Sequence, residues 1–265
     1  MVSTCTGLAK TGFLPVADTF SQFGITKGNL PIIMAALSQG PLVAAFTHAG
    51  FQDAADGASH EATTYFAAVS SIPHTLAIAV SCSEQADALM LEAFRRLAKE
   101  RQAGKDGESA IFFAGREDFA ARIGERPNGY PWGKAEVLRK GKDVVIVACG
   151  AMGPLALEAA AVLAKDGKQA AVIDNPFVSR PDLATISPAI AEAGGKLVTA
   201  EDHQIIGGMG AILVHALNLA GVGVKSAAIG MKGEFGRSAY SARELYEHFK
   251  MGPRDIAEAA RKLCR

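Results

Sequence analysis

Two histidines and an aspartate stand close together in THAGFQDAADGASHEA, residues 47–62. His48 and His60 bracket the pair Asp56-Gly57 among mostly small residues. Imidazole titrates near neutral pH, so it can take up and return a proton during a reaction. The same residues also suit a plain capped loop. Asp56-Gly57 is an ordinary turn pair, Ser59 is a competent helix cap, and Glu61 would sit in a first turn that favours acids. A metal site would combine His48, Asp56 and His60, but the spacing lacks the HExxH pattern of a helical zinc site. A second cluster is PVADTFSQFGITKGNLP, residues 15–31, with Phe20 and Phe23 three apart. Two core phenylalanines account for it; an aromatic face left open beside a polar cleft would suit a planar heterocycle. Gly150-x-x-Gly153 and Gly207-Gly208-x-Gly210 open helices. They serve either close helix–strand packing or an anion, and neither is a GxGxxG fingerprint.

These residues need elements to position them. LVAAFTH (42–48), TLAIAVS (75–81) and AIFFAG (110–115) read as buried strands. HEATTYFAAVSSI and SEQADALMLEAFRRLAKERQ between them carry helical periodicity, and the first places a helix start at His60. The stretch 118–143 breaks the rhythm with Pro127, Asn128, Gly129, Pro131 and Gly133 and reads as an interdomain linker. Strands then recur at 144–150, 169–177, 196–202 and 224–231, with helical patterns in PLALEAAAVLAKDG, PDLATISPAIAEAGG and GGMGAILVHALNLAG. Alternating strands and helices with nearly continuous apolar strands imply an α/β protein of two doubly wound, mostly parallel-sheet domains. The expected division is 1–118, a linker at 119–134, and 135–265. In such sheets ligands sit beyond the carboxyl ends of strands, where His48 falls.

Composition limits the function classes. The 265 residues carry 27 basic and 27 acidic side chains, so charge gives no reason to expect nucleic acid or an anionic membrane. The most apolar run, 144–164, is broken by Gly150, Gly153, Pro154 and Glu158 and is no membrane span. Four scattered cysteines without CxxC favour a reducing compartment, with the cytoplasm as the default.

Several segments in order carry a family likeness. GLAKTGFLPVADTFSQF, IMAALSQ, FTHAGFQDAADGASHEA, SIPHT and GRED resemble the pyrimidine-binding domain of transketolases. EDHQIIGGMGAILVHAL and MKGEFGRSAYSARELYEHF resemble the transketolase C-terminal domain. The likeness covers essentially the whole chain. Its most specific part is the Asp56-Gly57-Ala58-Ser59-His60 loop, shared by the transketolase and deoxyxylulose-phosphate synthase branches; Thr47-His48 resembles the transketolase branch.

The resemblance implies a thiamine-diphosphate enzyme that moves a two-carbon ketol unit between sugar phosphates. It implies that Phe23 stacks on the cofactor's aminopyrimidine and that Phe20 lines the same pocket. It implies that His48 and His60 contact sugar hydroxyls and assist proton transfer, that Asp56 reads a hydroxyl, and that Arg116 holds the sugar phosphate. No G-D-G…N motif for diphosphate and Mg²⁺ occurs in the sequence. The expectation is a split transketolase. A separate N-terminal, diphosphate-binding subunit would share the cofactor and Mg²⁺, and two copies of this chain would pair within a heterotetramer. The family's catalytic glutamate lies just before the Gly7-Leu8-Ala9 match, and MVSTCTGLAKTGF reads as a helix already in progress. The expectation is that the functional polypeptide begins upstream of Met1. Two alternatives stay open: a 2-oxo acid dehydrogenase β-type subunit, which the His48–His60 loop argues against, and a non-catalytic scaffold.

Overall fold

The computed structural model describes residues 1–117, 120–125 and 129–265. The first half runs α1 (Val2–Lys10), β1 (Val16–Phe20), α2 (Ser21–Thr26), α3 (Asn29–Leu37), β2 (Val43–Thr47), α4 (Tyr65–Val69), β3 (Thr75–Ala79), α5 (Ser83–Gln102) and β4 (Ser109–Phe113). The second runs β5 (Glu136–Arg139), β6 (Val144–Ala148), α6 (Met152–Lys165), β7 (Ala170–Asp174), α7 (Leu183–Glu192), β8 (Lys196–Gln204), α8 (Met209–Leu219), β9 (Lys225–Met231), α9 (Ala242–His248) and α10 (Pro253–Leu263). The first sheet has the order β1-β2-β4-β3, all parallel. The second has the order β5-β7-β6-β8-β9, parallel except for β5, which runs antiparallel to β7 at the edge. The two-sheet, parallel-dominated α/β reading is borne out.

The differences are local and have physical causes. β1 (VADTF) went unread because Asp18 and Thr19 interrupt the apolar signal; it is an edge strand, where one side needs no apolar cover. The helix expected from His60 begins only at Tyr65, because residues 57–61 close a turn in which the His60 and Glu61 amides donate to the Gly57 carbonyl. β5 lies inside the stretch read as linker, and residues 118–119 and 126–128 of that stretch lie outside the described residues. Its described part is packed rather than free. The carbonyls of Ala120 and Ala121 accept the amides of Ser83 and Glu84, two of the four donors that the first turn of α5 leaves unpaired. The Trp132 ring meets Phe177 edge-on at 5.1 Å.

The apolar core runs through both halves. Phe46, Phe66 and Phe113 from the first sheet's side join Val145, Val147 and Ile173 of the second. Each such side chain contributes about 1.5–3 kcal/mol on leaving water. Backbone bonds add to the junction: the amides of Ala79 and Val178 donate to the carbonyls of Pro176 and Ala77.

Candidate active site

Strand register builds the first part of the site. Phe20, the last residue of β1, lies opposite Thr47, the last residue of β2. The next residue, His48, therefore leaves the sheet beside Phe20, and the two rings stack with centroids 3.7 Å apart at 15°. Two features hold α2 against this edge. The Ser21 hydroxyl donates to the Thr47 carbonyl at 2.8 Å, and Gly24 lies so close to Phe46 that a β-carbon would fall 2.7 Å from its ring. This seats Phe23, 39 % exposed, 6.0 Å from Phe20. The turn at 57–61 then brings His60 back, edge-on to Phe23 at 5.1 Å and 85°. Four aromatic rings from three separate segments thus form one array at the carboxyl edge of β1 and β2.

His48 holds the left-handed backbone conformation, φ 57°. A residue with a β-carbon adopts it at some energetic cost, and such strain concentrates where a side chain must be aimed. The Thr47 hydroxyl lies 2.7 Å from His48 Nδ1, and the Ser59 hydroxyl 2.9 Å from His60 Nδ1. Each ring is thereby oriented from one nitrogen, leaving Nε2 for other chemistry. Partial burial lowers the His48 pKa from its ordinary value; Asp53 and Asp56 oppose that shift, while Arg116 and His60 deepen it. Neutral imidazole at physiological pH is a ready proton acceptor.

The charged side of the site comes from β4. The Ala114 amide donates to the Phe46 carbonyl and the Ala49 amide to the Ala114 carbonyl, which zips β4 to β2 beyond the strands. Arg116 then reaches Asp53 at 2.7 Å and Asp56 at 3.7 Å. Asp53 is fully buried, whereas Arg116 and Asp56 remain about half exposed. Phe20, Phe23, His48, Asp56, His60 and Arg116 are therefore all brought into one neighbourhood.

Sequence reasoning missed the polar layer beneath this array. Gln52, Asp53, Glu61, Asp202 and Tyr246 are all buried. Asp202 accepts the Phe51 amide at 2.9 Å and the Tyr246 hydroxyl at 2.6 Å. Burial, followed by the charges of Asp202 and Asp53, pushes the Glu61 carboxyl up to about 8; the Arg237 amide opposes the shift. Burial likewise pushes Asp202 up to about 7, against the bonds from Tyr246 and Phe51. A readable signal did exist. Glu201, Asp202 and His203 continue the strand begun by KLVTA, and three ionisable residues in a buried strand demand partners. His203 Nε2 accepts the Phe66 amide at 3.1 Å, and its other nitrogen lies 2.6 Å from the Gln204 carbonyl. Burial holds that imidazole down to about 4.

The glycine turns that open α6 and α8 serve packing. Glu201 occupies the start of α8, accepting the amides of Met209 and Gly210. A β-carbon on Gly208 or Gly210 would strike Glu201 or Thr199, and one on Gly153 would strike Ile123. Among the described residues no group of three or more His, Cys, Asp or Glu side chains is arranged to hold a metal ion, and no helix is long and apolar enough to cross a membrane.

Comparison with known proteins bears on the family and the fold. The family described as transketolase, C-terminal domain, matches residues 133–256. A putative transketolase C-terminal section from Methanocaldococcus jannaschii is 30 % identical over 97 % of this chain and 78 % of its own length. The chain belongs to the transketolase family. A 1-deoxy-D-xylulose-5-phosphate synthase from Heliobacterium modesticaldum is 29 % identical over 99 % of the chain, which spans only 39 % of that synthase. Among solved structures, a split-gene transketolase described as an inactive beta4 tetramer superposes with a TM-score of 0.80 at 26 % identity, covering 98 % of this chain and 80 % of that one. Transketolase from Leishmania mexicana shares the fold, with a TM-score of 0.77 at 22 % identity over 99 % of this chain and 36 % of its own. Within the family, this transketolase-type chain thus resembles a section and a subunit along most of their length, and longer enzymes along only part of theirs.

Proposed function

We propose that this chain is the C-terminal subunit of a split transketolase. It would transfer a two-carbon ketol unit between sugar phosphates together with a partner chain that supplies the diphosphate- and Mg²⁺-binding domain. The observation that carries the reading is the array of Phe20, Phe23, His48 and His60, with Arg116 beside it. The residues fit thiamine diphosphate. Phe23 keeps an open ring face beside Phe20, of the size and polarity that a planar aminopyrimidine stacks on. When bound, that cofactor supplies the electron sink for breaking a carbon–carbon bond. The chain's own residues then have defined tasks. His48 and His60 take protons from sugar hydroxyls and return them, Asp56 accepts a hydroxyl hydrogen bond, and Arg116 holds the phosphate while Asp53 anchors its other side.

The division into 1–118, 119–134 and 135–265 is part of this proposal. So is pairing of two copies within a heterotetramer. Leu30, Ile33, Met34 and Leu37 form an exposed apolar stripe along α3, suited to burial against another chain. Four free thiols fit a reducing compartment. A synthase-type activity is the second reading, favoured by the Heliobacterium relative and its counterparts. The test is to copurify partner chains from the native source, then assay the complex with thiamine diphosphate and Mg²⁺. Ketol transfer between a ketose phosphate and an aldose phosphate is expected. Product formed only from a 2-oxo acid and an aldose phosphate would transfer the assignment to the synthase type, and no product from either pair would overturn both.

A further inference from the structure

We infer that Asp202 and Tyr246, both from the second half of the chain, are positioning residues that fix the His48–Asp56 loop and the Arg116 loop relative to each other. This role rests on the functional reading above. The geometry is a chain of hydrogen bonds. The Phe51 amide donates to Asp202 Oδ2 at 2.9 Å, and the Tyr246 hydroxyl donates to the same oxygen at 2.6 Å. Tyr246 in turn accepts Gln52 Nε2 at 3.1 Å. Gln52 then reaches across, its Oε1 accepting the Glu117 amide at 3.2 Å. Glu117 closes the path by accepting the Ala242 amide with both carboxylate oxygens, at 2.8 and 2.9 Å.

Each end of this path abuts a residue of the site. Gln52 precedes Asp53, the buried anchor of Arg116, and Glu117 follows Arg116. A β-carbon on Gly115 would fall 2.7 Å from Gln52 Oε1, so the two loops already touch through that side chain. Without the Tyr246 hydroxyl, Gln52 would lose the partner of its Nε2 and keep only the Glu117 amide, so the two loops that carry Asp53 and Arg116 would be less tightly fixed to each other. A displacement of that size matters because a charged contact to a phosphate needs both distance and direction.

The path is also separable from folding. Other bonds tie the same loop down: the Ala239 amide donates to the Ala54 carbonyl at 2.9 Å, and the Gln204 amide to the Thr63 carbonyl at 2.8 Å. The Tyr246 ring packs 5.8 Å from Phe51, and phenylalanine would keep that packing. Tyr246→Phe therefore removes only the hydroxyl. Asp202→Asn retains an oxygen that accepts from both Phe51 and Tyr246, and serves as the conservative variant.

The experiment uses the reconstituted two-chain complex with phosphorylated and unphosphorylated acceptor sugars. Tyr246→Phe is expected to raise KM for the phosphorylated acceptor about tenfold, leaving kcat and the unphosphorylated KM within about twofold. Asp202→Ala should do the same, and Asp202→Asn should stay within about twofold of the parent. Hydrogen exchange on the chain itself is the independent reading: Tyr246→Phe should lose protection at the amides of Phe51 and Glu117 and nowhere else. Arg116→Ala separates the two levels. If Arg116→Ala raises the phosphorylated KM and Tyr246→Phe does not, the positioning role is overturned and the functional reading stands. If Arg116→Ala leaves that KM unchanged, the phosphate assignment falls and the positioning role falls with it. Equal losses on both acceptors, or unchanged exchange at Phe51 and Glu117, would reduce Tyr246 to a packing residue.

Discussion

The segment 47–62 presents two faces that obey different rules. Its outer face carries His48, Asp56 and His60, partly open to solvent and oriented by neighbouring hydroxyls and rings. Its inner face carries Phe51, Gln52, Asp53 and Glu61, closed against the second half of the chain. On the outer face, charges of both signs act on His48 and partly cancel. On the inner face, burial outweighs every other influence on Glu61 and Asp202, and both hold their protons far above the ordinary carboxylate range. The difference shows how one short loop can present polar side chains to solvent and still be rigidly held. The residues we propose for the chemistry face solvent, and the residues that determine where they stand face protein.

The largest expected effect tests the outer face. In the reconstituted complex, His60→Ala should lower kcat by about 10²–10⁴, the range for loss of a proton carrier, with little change in cofactor affinity. Steady-state kinetics across a thiamine diphosphate titration check it, and an unchanged kcat would remove His60 from the reaction.

The next effect tests the inner face. Gly50 has φ 61°, and a β-carbon there would fall 2.1 Å from Cγ of Asp202. Gly50→Ala should cost about 3 kcal/mol of stability through left-handed strain and overpacking together. Gly104, at φ 66° with open space around it, supplies the control. Gly104→Ala should cost only the strain, about 1 kcal/mol. Denaturant titration of the two variants compares them, and equal losses would mean the loop is not tightly seated.

The pH dependence is smaller and has a definite sign. Glu61 and Asp202 have folded pKa values of about 8 and about 7, above the unfolded carboxylate range near 4. Their contribution to stability is complete below that range and is lost as pH rises through the folded values. His203 works in the opposite direction, with a folded value of about 4; its contribution is present above about 6.5 and is lost as pH falls. Between about 4 and about 6.5 the two carboxylates together lose more than His203 gains, so these three groups should leave the thermal midpoint highest in acid and lower it as pH rises toward about 8. Glu61→Gln should make that decline shallower. A decline unaffected by that change would show that Glu61 holds no proton.

The smallest effect returns to the outer face. Phe23→Ala should weaken thiamine diphosphate binding by the value of one stack, about 0.5–1.5 kcal/mol, or roughly two- to tenfold. Calorimetry on the complex measures this, and a kcat loss exceeding the affinity loss would reverse the roles assigned to Phe23 and His60.

The sequence by itself determined the class of fold and named the residues of the outer face as candidates. Apolar runs such as VVIVA and the periodic SEQADALMLEAFRRLAKERQ are local signals, since a strand or helix announces its buried side within its own residues. The pairing of His48 with Phe20 was not among these signals, because β1 went unread and only its register against β2 sets the two residues side by side. The tertiary structure alone decided the inner face. Asp202 is 151 residues from the amide it accepts, and Gln52 is 194 residues from Tyr246. Helical and strand periodicity report only which side of an element is buried, and leave open which distant residue will meet it. A carboxylate reads as exposed until the fold encloses it, and only the enclosure makes Glu61 and Asp202 retain their protons. For the same reason the turn at 57–61 replaced the helix expected from His60. HEATTYFAAV has the period of a helix, but contacts across the two halves held its first residues in another shape.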